Sequence, residues 1–165
     1  MKKIAIFIGV IILTSSCSDS DKNELRIAHL QSEIDSLTKK VEKSQPGLGE
    51  VMSAIQMHHA KLWFSGINGN WKLAAFEIGE IKEQLEMAEV LKAVRPEVAS
   101  LPMIYPAVDS ISNAIAHQDE KGFHGGFEYL TSSCNICHQV NKFEFNVIIT
   151  PKTEPVVNQI FNIQH

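Results

Sequence analysis

The sequence predicts an all-α protein: a four-helix bundle preceded by a tether helix and followed by an extended tail. Three observations carry this expectation. Apolar residues recur at three- and four-residue spacing through most of the chain. Breaks rich in Gly, Pro and Asn, at 45–47, 66–70 and 95–106, divide that pattern into helix-length segments. Alternation of apolar and polar residues appears only after Lys142.

Residues 1–16 come first and differ from the rest. Lys2 and Lys3 precede an apolar run from Ile4 to Leu13, and small residues lead to Cys17. This is the layout of an export signal, and the run is too short to span a bilayer as a stable helix. The stretch LTSSC resembles the lipobox of bacterial lipoproteins, which implies lipidation at Cys17 and cleavage before it. An ordinary signal peptide cut near Ser16 is the plainer alternative. Loss of Lys2 and Lys3 takes the formal charge from -4 to -6. The following SDSD resembles surface-export signals seen after the lipid cysteine in some bacterial groups. Residues 17–47 then read as a lipidated N-terminus and helical tether. Leu25, Ile27, Leu30, Ile34, Leu37 and Val41 form its apolar face, and it could serve as a stalk, a coiled-coil segment or a packed helix.

The bundle is expected over 48–142. Its first helix runs from about Leu48 to Ser65, and its second from about Trp71 to Val94, where Arg95-Pro96 stops it. Pro102 and Pro106 bracket an irregular connection. A third helix spans about 107–118, and Asp119 caps a fourth that reaches about Asn141. On that fourth helix Phe123, Phe127, Leu130, Cys134 and Cys137/His138 share one face. Gly122, Gly125 and Gly126 weaken its helix propensity, consistent with close approach of a flat ligand or a neighbouring helix, with loop-like fraying as the plainer alternative. Residues 143–165, with Pro151 and Pro155, form the extended tail.

The chemistry is concentrated in CNICH, residues 134–138. Three readings compete: a c-type haem attachment site, a zinc half-site and a redox dithiol. With Cys17 assigned to lipid, Cys134 and Cys137 are the only pair left, and export places them in an oxidising compartment. A zinc site lacks a second C-x-x-C, and His117 and His124 could complete it only if folding brought them near. A thioredoxin-like dithiol calls for a βαβ context in a chain that reads as helical. C-x-x-C-H is the attachment signature of c-type haem: the cysteines form two thioethers and the adjacent histidine offers its imidazole to the iron. Composition shows no basic patch, so nucleic acid is not an expected partner.

Candidates for the sixth iron ligand are Met52, Met57, His58, His59, Met87, Met103, His117 and His124. Helical phase sets His59 in the middle of the first helix's apolar stripe, keeps Met52 on that stripe, leaves His58 at its rim and turns Met57 away, so His59 is the expected sixth ligand or distal-pocket residue, ahead of Met52 and of an open sixth site. Trp63 and Phe127 are candidate haem-packing residues, with ordinary core packing as the alternative for both.

A C-x-x-C-H near the end of a helical domain resembles the class II cytochromes, the cytochrome c prime group. The resemblance covers about residues 48–142. It implies a four-helix bundle with one covalent haem c on the last helix, held by Cys134, Cys137 and His138. In that group a basic residue follows the haem histidine by four positions, as Lys142 does here, where it would pair with a propionate. The group also takes its sixth-position residue from the first bundle helix, which holds Met52 and His59. A homodimer is a further implication. Two departures stand out: Asn141 replaces a common aromatic, and the tail after Phe143 is foreign to the group. The stretch HHAKLWFSG…NWKLAAFEIGEI also looks like a set of secreted haem-binding proteins with the same CxxCHQ and a Pro-containing tail.

The functional expectation is therefore a non-enzymatic electron carrier. It would be lipid-anchored in the bacterial envelope, facing the periplasm or the surface, and would work with redox partner proteins there. The alternatives are a five-coordinate haem protein that takes a small gas ligand, a haem peroxidase, and a non-haem dithiol lipoprotein. The only arginines, Arg26 and Arg95, are expected to lie away from the first helix's apolar face, which leaves a peroxidase without a distal His-Arg pair.

Overall fold

The computed structural model describes residues 17–44, 46–93 and 95–162 and is all-helical in its regular structure. The export signal expected over 1–16 lies outside these residues. No helix among the described residues is long and apolar enough to cross a membrane. The chain divides after Gln45 into two compact units.

Among the described residues the first unit has one helix, α1 (Cys17–Ser44). The second, from Pro46, contains α2 (Leu48–Ile67), α3 (Trp71–Glu89), α4 (Tyr105–Ala116) and α5 (Glu120–Val140). Two 3₁₀ segments, Val90–Ala93 and Pro96–Met103, join α3 to α4. The expected second helix thus tightens into 3₁₀ after Glu89 rather than continuing to Val94. The connection expected to be irregular is largely 3₁₀, with Pro96 at its start. Pro106 lies in the first turn of α4, where its missing N–H costs no helical hydrogen bond.

Local chemistry sets the helix ends. The Glu50 carboxylate accepts from Gly47 N at 3.0 Å, closing the start of α2. Asn70 Oδ1 accepts from Leu73 N at 3.2 Å, and Asp119 Oδ1 from Gly122 N at 3.0 Å, capping α3 and α5. The helices α2, α4 and α5 each end in a left-handed residue: Gly69 (φ +68°), Gln118 (φ +54°) and Lys142 (φ +64°). After each one the next amide bonds back five residues: Asn70 to Ser65 O, Asp119 to Ala114 O and Phe143 to His138 O. This is the Schellman closure.

The core collects Val51, Ile55 and Leu62 of α2, Ile78, Ile81 and Leu85 of α3, Val108 and Ile111 of α4, and Phe123, Phe127 and Leu130 of α5. Each such side chain contributes about 1.5–3 kcal/mol on leaving water. The main packed pairs are α2 with α3 and α4 with α5. Gly126 permits the second: a Cβ there would lie 2.9 Å from the Ile111 Cα. The neighbouring helix, not a flat ligand, explains that glycine. Gly66 likewise leaves room for the Phe123 ring.

The tail belongs to the same unit and has no regular secondary structure. Phe161 is 1% exposed and packs against Phe64, with ring centroids 5.8 Å apart. Asn70 Nδ2 donates to Phe161 O at 3.1 Å, so the α2–α3 turn holds the far end of the tail.

Candidate functional site

Cys134, Cys137 and His138 occupy the last two turns of α5, on one face because the spacing is three and four residues. The left-handed turn at Lys142 then reverses the chain, so that the tail runs back beside them. Asn135, inside the motif, seizes this returning segment twice: its Nδ2 donates to Ile148 O and its Oδ1 accepts from Ile148 N, both at 2.8 Å. Two residues earlier, Asn146 O lies 2.6 Å from His138 Nδ1. A carbonyl can only accept, so Nδ1 carries the proton and Nε2 keeps the free lone pair. This is the arrangement that orients a metal-binding histidine.

Two cavities meet at this point. One, of about 200 Å³, is lined by Met52, His59, Leu130, Cys134, Cys137 and His138, among others. The other, of about 280 Å³, is lined by Leu48, Met52, Arg95, Leu101, His138 and Asn141, among others. Met52, Cys137 and His138 border both. The walls come from α2, α3, α5, the 3₁₀ segment and the tail, and most of them are apolar, as expected of a pocket for a largely apolar group.

Both thiols are free. Burial, and then the neighbouring Cys137, push the Cys134 thiol up to about 12. Burial also raises Cys137, opposed by the Asn141 amide 3.6 Å from its sulfur. Asn141, which departs from the aromatic of the class II pattern, also takes a hydrogen bond from Ser100 at 3.3 Å and so ties the 3₁₀ segment to the motif.

His59 is 3% exposed. Its Nε2 lies 2.8 Å from Thr131 Oγ1, and the Thr131 hydroxyl donates to Phe127 O at 2.9 Å. That hydroxyl has one proton, already committed, so His59 Nε2 donates and Nδ1 bears the lone pair. Burial lowers the His59 pKa to about 4, which keeps the ring neutral. Phe127 packs on this imidazole at 4.4 Å, and Trp63 packs on Phe127 at 4.8 Å.

The structure therefore brings together Cys134, Cys137, His138, Met52 and His59. Phe127 and Trp63 stand behind His59 and do not line either cavity; Lys142 lines neither and is exposed at the helix end. Arg95 corrects the expectation from sequence. It lines the second cavity together with Leu48, Gly49 and Met52 of α2, 3.7 Å from Glu97. That meeting joins residues some forty positions apart, which no local pattern announces. The roles of Asn135, Asn141 and Asn146 were equally hidden, although an amide inside CNICH followed by a non-helical tail is a usable signal.

His58 sits at the rim, as expected, and its Nδ1 lies 2.7 Å from Glu77 Oε2. Glu77 is fully buried, and its Oε1 has no partner among the described residues. His117 bonds to Asn113 O, and His124 packs edge-on against Trp63. Among the described residues no three His, Cys, Asp or Glu side chains form a metal-binding group. The chain matches no family model, no curated protein and no solved structure in comparison.

Proposed function

We propose that this chain is a monohaem c-type cytochrome and an electron carrier, exported to the bacterial envelope and anchored there by lipid on Cys17. The observation that carries this reading is the state of His138. The Asn146 carbonyl fixes its ring and leaves Nε2 free, beside two cysteines, on the border of two apolar cavities. The donor set fits the group: two thiols for thioethers and an oriented imidazole for iron. A bound haem would supply one-electron chemistry at a potential set by its axial ligands and surroundings.

The chain's own residues do the rest. Cys134 and Cys137 would attach the group, and His138 would bind the metal through Nε2. Leu101, Ile104 and Leu130 exclude water from the first cavity. Arg95 provides a cation at the second cavity and is better placed than Lys142 to meet the carboxylates of the group. Met52 borders both cavities that His138 borders and is our choice for the sixth ligand, in place of the His59 expected from helical phase. His59 borders one, and its Nε2 is engaged by Thr131. Raised thiol pKa values leave little thiolate at neutral pH, which argues against dithiol exchange. Arg95 and His59 line different cavities, which argues against a peroxidase pair.

The His59–Thr131 bond also favours a second reading, a five-coordinate iron open to a gas ligand. The visible spectrum separates them. The chain from Cys17, made with haem-maturation machinery, should give a low-spin spectrum that becomes high-spin in Met52→Ala and stays low-spin in His59→Ala. A high-spin spectrum that shifts with CO would favour the gas-binding reading. No Soret band would end the haem reading, and a change to high spin in His59→Ala alone would transfer the ligand role to His59.

A further inference from the structure

Helix α1 has an apolar face and nothing polar within it. Leu25, Ile27, Leu30, Ile34, Leu37 and Val41 are 48–73% exposed. A 28-residue helix with charged residues on its other faces is sustained by burial of its apolar stripe rather than by propensity alone. The spacing of the stripe identifies what would bury it. Ile27, Leu30, Ile34, Leu37 and Val41 are separated by three, four, three and four residues, the a/d repeat of a left-handed coiled coil. Amphipathic helices that pack on a globular core usually show a broader stripe than this two-position seam. Leu25 alone falls outside it.

The identities at the two positions are equally informative. All three a positions hold β-branched residues, Ile27, Ile34 and Val41, and both d positions between them hold leucine. That division favours two parallel strands over three or four. In such a pair each layer meets its own copy. Alongside the seam, Arg26 faces Gln31 of the second copy and Glu33 faces Thr38; like charges meet in the turn before the seam, where Asp19 faces Glu24. Asn23 and Ser44, the d positions at either end, bound the apolar seam with polar side chains.

We infer that α1 pairs with α1 of a second copy of this chain as a parallel two-stranded coiled coil with Ile27, Leu30, Ile34, Leu37 and Val41 as its seam. Chain connectivity then sets both Cys17 residues at one end of the coil and the first residues of both Pro46–His165 units at the other. The inference does not depend on the haem reading.

The test is the mass in solution, by sedimentation equilibrium, of the chain from residue 17 with Cys17→Ser to prevent lipidation. The expected value is twice the chain mass. Ile34→Lys with Leu37→Lys should return it to one chain mass while leaving the helix signal of the Pro46–His165 unit in place. A second variant exchanges the two positions: leucine at 27, 34 and 41, isoleucine at 30 and 37. That exchange should raise the mass above the dimer, since leucine at a with isoleucine at d favours larger assemblies. Orientation is read from Asn23→Cys and Ser44→Cys variants mixed and oxidised, with the linked peptides identified by mass spectrometry; 23–23 and 44–44 links are expected. A single-chain mass at every concentration, a dimer indifferent to the lysines, an exchange variant that stays dimeric, or exclusive 23–44 links would each overturn the inference.

Discussion

At His59 burial creates a pH dependence. Its pKa falls from 6.5 to about 4 on folding. Above pH 6.5 the ring is neutral folded and unfolded, and its contribution is complete. Between 6.5 and about 4 only the unfolded chain takes the proton, so stability is lost as pH falls, on the order of 3 kcal/mol in full. Urea unfolding at pH 7 and pH 4.5 should show that the parent loses about 2 kcal/mol more than His59→Gln; equal losses would refute this. Asn135 has a different task. Asn135→Ala removes both bonds to Ile148, at a cost of about 1–3 kcal/mol, and unclamps the segment that orients His138. Hydrogen exchange at the Ile148 amide should rise sharply, while the α2 core amides keep their protection. Neither role is visible in a list of motif residues: one depends on Thr131, seventy-two positions away, and the other on a tail that must first turn back.

At the scale of elements, the ends matter most. Lys142 adopts a left-handed conformation that costs a side-chain-bearing residue about 1–2 kcal/mol relative to glycine. Lys142→Gly should therefore stabilise the fold by about 1 kcal/mol, measured by denaturant midpoint. If Lys142 instead supports the site by its charge, the midpoint will not rise and the spectrum of the loaded protein will change. Helix types and most cores were legible, since stripes such as Val51, Ile55, His59 and Leu62 need only periodicity. The end of α3 was not. Nothing between Glu89 and Arg95 resembles a stop, yet the chain turns 3₁₀ at Val90, and Leu91 and Val98 are buried along that path.

For the whole molecule, the tail is a structural member. Phe161 lies far from the motif in sequence, yet it is buried against Phe64 and tied to Asn70. Phe161→Ala should cost about 3 kcal/mol, as for other buried phenylalanines. A tail lying loosely on the bundle would show a loss below ~0.5 kcal/mol, the range of surface substitutions. The folded-back tail also explains how one helix end acquires an oriented histidine without a further domain.

The sequence by itself determined the helical class, the position of the breaks and the grouping of Cys134, Cys137 and His138 on one face. Each follows from spacing along a single helix, and helix geometry is local. Only the tertiary structure decided that Met52 and Arg95 share a cavity with His138, that Thr131 engages His59, and that Asn146 sets the His138 proton. These are meetings between segments far apart in the chain. Which side chains meet there depends on how helices, 3₁₀ turns and the tail fill one core together, and no local pattern encodes that.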